Sequence, residues 1–352
     1  MFYVRPIAQD DLPAVLALSE HTGTGLTTLP ANRERLSERI ARSLASFAGS
    51  ASRADACFVF VLVDGDADRV VGIAAIEAAV GLKEPWYNYH VGTLVHASRA
   101  LDVYTAAPTL FLANDHTGHT ELCSLFLDES YRHARNGPLL AKSRLLFIAE
   151  FADRFAAKVI AELRGKLDAD NRSPFWEGLG RHFFAMEYST ADYLTGIGQK
   201  SFVAELMPRH PVYVNLLPDS ARAVIGEVHD DTRPARRLLE QEGFRYEGYV
   251  DIFDAGPTLE CFRDNIHAIR QSVVVPVAIA SASTAASAAA QAANGEVTWL
   301  VANRRFEDFR VILAEAPARF KRFPLATEAA AQLGIAGGDS VRAVPLSPRD
   351  RR

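Results

Sequence analysis

The residues whose types and order could do chemistry are gathered in the stretch Glu121–Phe151, ELCSLFLDESYRHARNGPLLAKSRLLFIAEF. An apolar run, Leu122 to Leu127, breaks at Asp128 into a polar, basic turn, Tyr131-Arg132-His133-Ala134-Arg135-Asn136-Gly137-Pro138. That turn feeds a second apolar pattern at Leu139, Leu140, Leu145, Leu146 and Ile148, spaced for a helix. A strand that passes through a Gly-containing basic loop into a helix N-terminus is an arrangement that binds phosphate. The first helical N–H groups have no partner inside the helix, and the helix dipole has the sign that favours an anion. Pro138 suits the first helical position, where its missing N–H costs nothing. An ordinary strand–turn–helix crossover has the same outline, so the pattern by itself leaves both readings open.

Histidines and cysteines are the other groups with reactive potential. His229 ends the apolar run Val224-Ile-Gly-Glu-Val-His229 and precedes Asp230-Asp231. An imidazole titrates near neutrality, and adjacent carboxylates are expected to raise its pKa, so acid–base work is open to it. The bland alternative is a histidine that caps the following turn. His116, His119 and His133 read as solvated loop residues, and no Cys or carboxylate cluster at ligand spacing accompanies them, so no metal site is expected. Cys57, Cys123 and Cys261 are scattered and odd in number. Two of them lie inside apolar runs and read as core thiols; the set predicts no disulfide framework and a reducing cytoplasm.

These groups must be positioned by a chain of 352 residues, 49% hydrophobic and 23% charged, ample for a full core and more than one domain. The net charge of −5, with no run of Lys or Arg interleaved with aromatics, argues against a nucleic-acid surface. No apolar stretch reaches membrane-spanning length, and the N-terminus has no signal-peptide pattern. Along the chain, Tyr3–Pro6 reads as a strand, followed by a helix carrying Leu12, Val15, Leu16 and Leu18. Thr22-Gly23-Thr24-Gly25-Leu26 reads as a Gly-rich loop before a second helix, Asn32 to Phe47. Phe58–Val63 and Val70–Ile76 form a hairpin across Asp64-Gly65-Asp66. Trp86 to Leu112 holds strand pieces with weak helix character between them.

Two later stretches, 158–184 and 224–244, each read as a strand, an acidic or amide pair and a helix, a candidate pseudo-repeat. Gly243 fits the C-cap of the second helix. Beyond Arg270, strands are expected at Val273–Ile279, Val297–Val301, Phe309–Leu313 and Val341–Val344. An Ala/Ser tract, 280–293, interrupts them. The last of these elements, LGIAGGDSVR, suits a small β-barrel. The domain reading is therefore 1–265, then 266–345, then a tail, 346–352.

The order of elements resembles the GNAT superfamily of acyl-CoA-dependent N-acyltransferases. Arg132-His133-Ala134-Arg135-Asn136-Gly137 stands where that superfamily carries its Gln/Arg-x-x-Gly-x-Gly/Ala loop. Gly137 fills the second glycine position, and Arg135 stands at the first, placing a Cβ where backbone approaches phosphate. Over nearly the whole chain the sequence is similar to the arginine N-succinyltransferase family. The stretches that carry the likeness are Thr22–Pro30, Gly72–His96, Leu110–Leu127, Arg172–Phe184, Tyr193–Pro211 and Ala221–Leu259.

The resemblance implies a GNAT-type α/β fold, a mixed sheet flanked by helices, with succinyl-CoA as co-substrate and no tightly bound cofactor. It implies attack of the α-amine of L-arginine on the thioester, with His229 as proton donor. Leu125, Phe126 and Leu127 would offer main chain to the acyl-CoA, and Arg132, Asn136 and Gly137 would meet its diphosphate. Glu77, Asp115 and Glu121 are the candidates for the guanidinium. Direct transfer is expected, because no activated Cys or Ser constellation is visible. The alternatives are an ornithine or other amine N-acyltransferase, or a non-catalytic coenzyme A-binding subunit. A homo-oligomer or a heteromer with a similar chain is expected.

Overall fold

The computed structural model describes residues 1–22, 28–199, 201–280 and 296–347. Most of the Gly-rich loop, most of the Ala/Ser tract and most of the tail lie outside them. In chain order the elements are β1 (Phe2–Pro6), α1 (Leu12–Ser19), α2 (Arg33–Phe47), β2 (Cys57–Asp64), β3 (Arg69–Glu77), β4 (Asn88–Ser98), β5 (Val103–Ala113), β6 (Thr120–Leu127), α3 (Asn136–Glu150) and β7 (Lys158–Glu162). Next come α4 (Arg181–Phe184), α5 (Tyr188–Gly196), α6 (Ser201–Leu206), β8 (Val212–Tyr213), α7 (Asp219–Arg222), α8 (Arg233–Glu242), β9 (Arg245–Val250), β10 (Pro257–Phe262) and α9 (His267–Gln271). The C-terminal part holds β11 (Val273–Ala280), β12 (Glu296–Ala302), β13 (Val311–Pro317), β14 (Phe323–Ala326), α10 (Thr327–Leu333) and β15 (Ser340–Pro345).

One sheet runs through all of these strands in the order β14-β11-β15-β12-β13-β1-β2-β3-β6-β7-β10-β9-β4-β5-β8. Its centre is buried on both faces, which explains why β2 reads CFVFVLV without alternation. Phe58, Phe60 and Leu62 pack with Phe147 of α3 on one face, and Cys57, Val59, Val61 and Val63 pack with α1 and α2 on the other. This is the mixed α/β layout, a sheet flanked by helices, expected from the sequence. The neighbouring pairs are antiparallel except β6–β7 and β11–β14.

The structure departs from the sequence reading in four places. No helix lies between β4 and β5; a tight turn with Asp102 in the left-handed region joins them. Val224–His229 is not a strand. Gly226 at φ +77° turns the chain, and only a single bridge, Gly165 to Val228, remains. The pseudo-repeat therefore fails at its strand. The C-terminal strands do not close into a barrel among the described residues: the sheet ends at β14, and β13 pairs with β1, which continues it into the main sheet. The expected strand Phe309–Leu313 begins later, at Val311, with Phe309 wholly buried in the core ahead of it.

Helix α3 is buried on nearly every side, including Lys142 and Arg144. Lys142 Nζ meets Glu242 Oε1 of α8 at 2.6 Å and donates to the Leu346 carbonyl at 2.6 Å. Glu242 Oε2 accepts from the Ala268 N–H at 2.6 Å, so one buried pair ties α3, α8, α9 and the C-terminal segment together. Removing one member leaves the other as an uncompensated buried charge. Lys142→Met is expected to lower unfolding free energy by about 3–5 kcal/mol, read by urea denaturation. A loss under 1 kcal/mol would show that the pair does not tie these elements.

Candidate active site

The parallel pair β6–β7 is hydrogen-bonded only at its start, Thr120 to Val159 and Glu121 to Ile160. Beyond that point the strands part, and the gap opens into a cavity of 1340 Å³. That exceeds the roughly 300–1,000 Å³ of an ordinary ligand pocket and leaves room for two substrates. One arm of the opening is Glu121–Leu127, the other Ala161–Arg164.

The β6 arm is bulged. Ile73 of β3 faces Phe126 and Ala75 faces Cys123, so Ser124 and Leu125 together oppose Ala74. Ser124 adopts φ +53°, a conformation costly for a residue with a side chain. The bulge turns this stretch of main chain away from its ladder. Arg144 compensates from α3, donating from Nη1 to the Cys123 carbonyl at 3.1 Å and the Ala75 carbonyl at 3.3 Å. Burial pulls its pKa down to about 10. Leu125, Phe126 and Leu127 all line the cavity, with Leu125 and Phe126 packed against separate parts of the core.

At one end the cavity is basic. Ala134 and Arg135, both in the left-handed region at φ +51° and +65°, lead into α3. The Asn136 N–H is spent on the His133 carbonyl at 3.0 Å, and its side-chain amide donates to the Tyr131 carbonyl. By contrast, the N–H groups of Ala134, Arg135 and Gly137 meet no acceptor among the described residues. A Cβ built on Gly137 would meet no protein atom within 4 Å, so open space lies over that position. Arg132 and Arg237 add charge to this wall, Arg132 being tethered through Nε to the Leu127 carbonyl. Arg135 takes the left-handed conformation suited to glycine and sends its guanidinium to Glu315 and Thr298 on the C-terminal strands.

At the other end the cavity is acidic. Glu121, Glu162, Asp192, Asp251 and Asp254 line it, together with Tyr188. Burial raises the pKa of Glu162 well above the usual carboxylate range, and Asp251, Glu121 and Asp254 push it further. Burial and Asp251 push Asp254 up to about 8. Of the expected guanidinium acceptors only Glu121 lies here. Glu77 is paired with Arg42 and Arg39 of α2, and Asp115 accepts from the Tyr249 hydroxyl at 2.8 Å; neither is on the cavity wall.

His229 stands beside the cavity, between two residues that line it. Its N–H donates to the Arg164 carbonyl at 2.9 Å, and its Nδ1 accepts from the Asp231 N–H at 3.3 Å. The ring therefore caps the next turn and keeps hydrogen on Nε2. Its pKa is lowered rather than raised as expected, because burial and Arg164 outweigh Asp231 and Asp230.

His116 is not a solvated loop residue: it is buried, with Nδ1 at 2.7 Å from Asn88 Oδ1 and Nε2 at 3.1 Å from Glu260 Oε2. His119 is half-buried, and His133 is exposed. All three cysteines are free and buried, and no group of three or more His, Cys, Asp or Glu among the described residues is placed to hold a metal. No described helix is long and apolar enough to cross a membrane. Beyond Glu121, the acidic wall is not legible in the sequence, because its members come from β6, β7, α5 and the turn after β9. The one local signal was Asp251-Ile-Phe-Asp254, two aspartates in a strand–turn–strand passage.

The chain is similar to known proteins over its whole length. The family described as Arginine N-succinyltransferase beta subunit matches residues 2–268, and its C-terminal domain matches residues 281–345. The arginine N-succinyltransferase of Yersinia pseudotuberculosis (strain YPIII) is 52% identical, with 100% of both chains covered. That of Escherichia coli (strain 55989) is 50% identical, covering 100% of this chain and 99% of the relative. Arginine/ornithine succinyltransferase subunit AI from Pseudomonas aeruginosa superposes with a TM-score of 0.88 at 36% identity over 99% of both chains. With a matching family profile over most of its length and relatives half identical from end to end, this chain belongs to the arginine N-succinyltransferase family.

Proposed function

We propose that this chain is an acyltransferase that moves the succinyl group of succinyl-CoA onto the α-amine of L-arginine. The observation that carries the reading is the polarity of one cavity, basic at one end and acidic at the other, with a bulged strand between. Unpaired amides at the entry of α3 and the charges of Arg132 and Arg237 suit a diphosphate. Carboxylates at the far end suit a guanidinium and an ammonium group. The amine nitrogen attacks the thioester carbonyl carbon, the C–S bond breaks, and the thiolate takes up a proton. His229 is the proposed donor, through the Nε2–H that its capping bond leaves in place. Main chain of Leu125, Phe126 and Leu127 holds the acyl-CoA, with Gly137 beneath the diphosphate.

Ornithine is a second acceptor to weigh, because the Pseudomonas relative is named for both amino acids. The terms "beta subunit" and "subunit AI" in the matched names favour an assembly of more than one chain. Free, buried thiols suit a reducing cytoplasm.

Incubating purified chain with succinyl-CoA or acetyl-CoA and arginine, ornithine or lysine, and following free thiol, tests the reading. Release is expected to be fastest with succinyl-CoA and arginine; none with any pair would favour a subunit that only binds coenzyme A. His229→Ala is expected to lower kcat by about 10²–10⁴-fold with the succinyl-CoA Kd little changed. Unchanged turnover would remove His229 from the mechanism. Gly137→Val fills the open space over the loop and is expected to raise the coenzyme KM about tenfold or more, near 1.4 kcal/mol. Arg135→Gly, at a backbone conformation glycine adopts freely, should leave that KM within a few-fold.

A further inference from the structure

A buried hydrogen-bond chain ends at one carboxylate of the acidic wall. Trp86 Nε1 donates to Asn88 Oδ1 at 3.0 Å. An indole N–H can only donate, so the orientation of the Asn88 amide is settled. Its Nδ2 therefore faces Glu162 Oε2 at 3.1 Å and Thr258 Oγ1 at 3.3 Å and donates to both. Behind it, His116 Nδ1 donates to Asn88 Oδ1 at 2.7 Å. His116 Nε2 lies 3.1 Å from Glu260 Oε2, and Glu260 Oε1 accepts from Lys158 Nζ at 2.8 Å. Asn88 and His116 are almost fully buried, so the chain is held by the fold and not by solvent.

Glu162 is the last residue of β7, two positions past the final β6–β7 pair, on the arm opposite the bulge at Ser124. Asn88 engages Oε2, and Oε1 receives no hydrogen bond among the described residues. Neighbouring carboxylates are engaged by the fold. Asp254 spends its oxygens on the N–H groups of Gly165 and Gly256, and Asp251 Oδ1 accepts from Phe253 and Asp254.

We propose that Glu162 is the general base, and that Asn88 and His116 are positioning residues that aim its Oε1 at the acceptor amine. The proposal rests on the acyltransferase reading above. Glu162 Oε1 takes one proton from the α-ammonium group, and the freed lone pair forms the N–C bond as the C–S bond breaks. Of the remaining two nitrogen-bound protons one stays on the amide, and the other balances the proton that the leaving thiolate receives. Glu162 returns its proton to water.

The ionisable groups around Glu162 are Glu121 from β6, Asp251 and Asp254 from the turn after β9, and Tyr188 and Asp192 from α5. Arg144 and Arg164 share the cavity. Burial and this company raise the carboxyl pKa, so its base form is lost at a higher pH than an ordinary carboxylate's would be.

The test is the isosteric Glu162→Gln in the full chain, with succinyl-CoA binding as the check on folding. Expected is a fall in kcat of about 10²–10³-fold, acceptor KM within a few-fold, and loss of the acid limb of the kcat profile. Turnover of E162Q should instead climb with pH as free amine accumulates. Asn88→Ala removes an N–H that favours the charged carboxylate, so the acid limb should move to higher pH. Unchanged kcat in E162Q, or a loss confined to acceptor KM, overturns the assignment while the function stands. A wild type that releases no thiol with any amine overturns both.

Discussion

The central cavity of this molecule depends on two parallel strands that stop pairing. Backbone N–H and C=O groups in a sheet interior demand partners, and a gap between central strands costs free energy unless something else satisfies them. Here β6 and β7 share only two paired positions before they diverge. Arg144 covers two carbonyls beside the bulge, and the rest of the parted main chain faces a cavity. The unpaired groups that would be a defect elsewhere become the surface on which a ligand can complete the ladder.

The sheet around the gap is what makes it tolerable. β2 and β3 are buried on both faces, and α3 lies across them as a core helix whose polar groups are each satisfied by name: Lys142 by Glu242 and Leu346, Arg144 by strand carbonyls. Left-handed residues collect at the same place, Ser124 in the bulge and Ala134 and Arg135 in the loop. Each costs of order 1–3 kcal/mol and persists only because its surroundings over-determine it. The C-terminal strands take part in this, since Glu315 and Thr298 hold the Arg135 side chain away from the loop's own backbone. The Arg at the glycine position is thus accommodated by its backbone conformation, with its charge engaged elsewhere.

The cavity also separates charge. A basic loop and unpaired amides at the entry of α3 line one end, and a crowd of carboxylates lines the other, with Glu162 distinguished by its Asn88 anchor and by an Oε1 that accepts no hydrogen bond among the described residues. Crowding carboxylates in a partly dry space destabilises their charged forms, which is the condition under which a carboxylate becomes a useful base near neutral pH.

Local pattern alone determined a great deal: the β2–β3 hairpin, the helices α2, α3 and α8, the strand–loop–helix at the basic end of the cavity, and Gly243 as a cap. These depend on periodicity, turn chemistry and capping, all of which act between residues close in the chain. Positions such as Val224–His229 misled because an apolar run carries no mark of the left-handed Gly226 that breaks it. Glu77, Asp115 and Glu121 were indistinguishable as carboxylates in family-like stretches. Only the packing of α2 against β3 and of Tyr249 against Asp115 places two of them off the cavity wall. Likewise His116 reads as a loop histidine until Asn88, 28 residues earlier, and Glu260, 144 later, close around it. Tertiary structure alone decided which carboxylates share the cavity, since burial and the direction of a hydrogen bond are set by residues far apart in the chain.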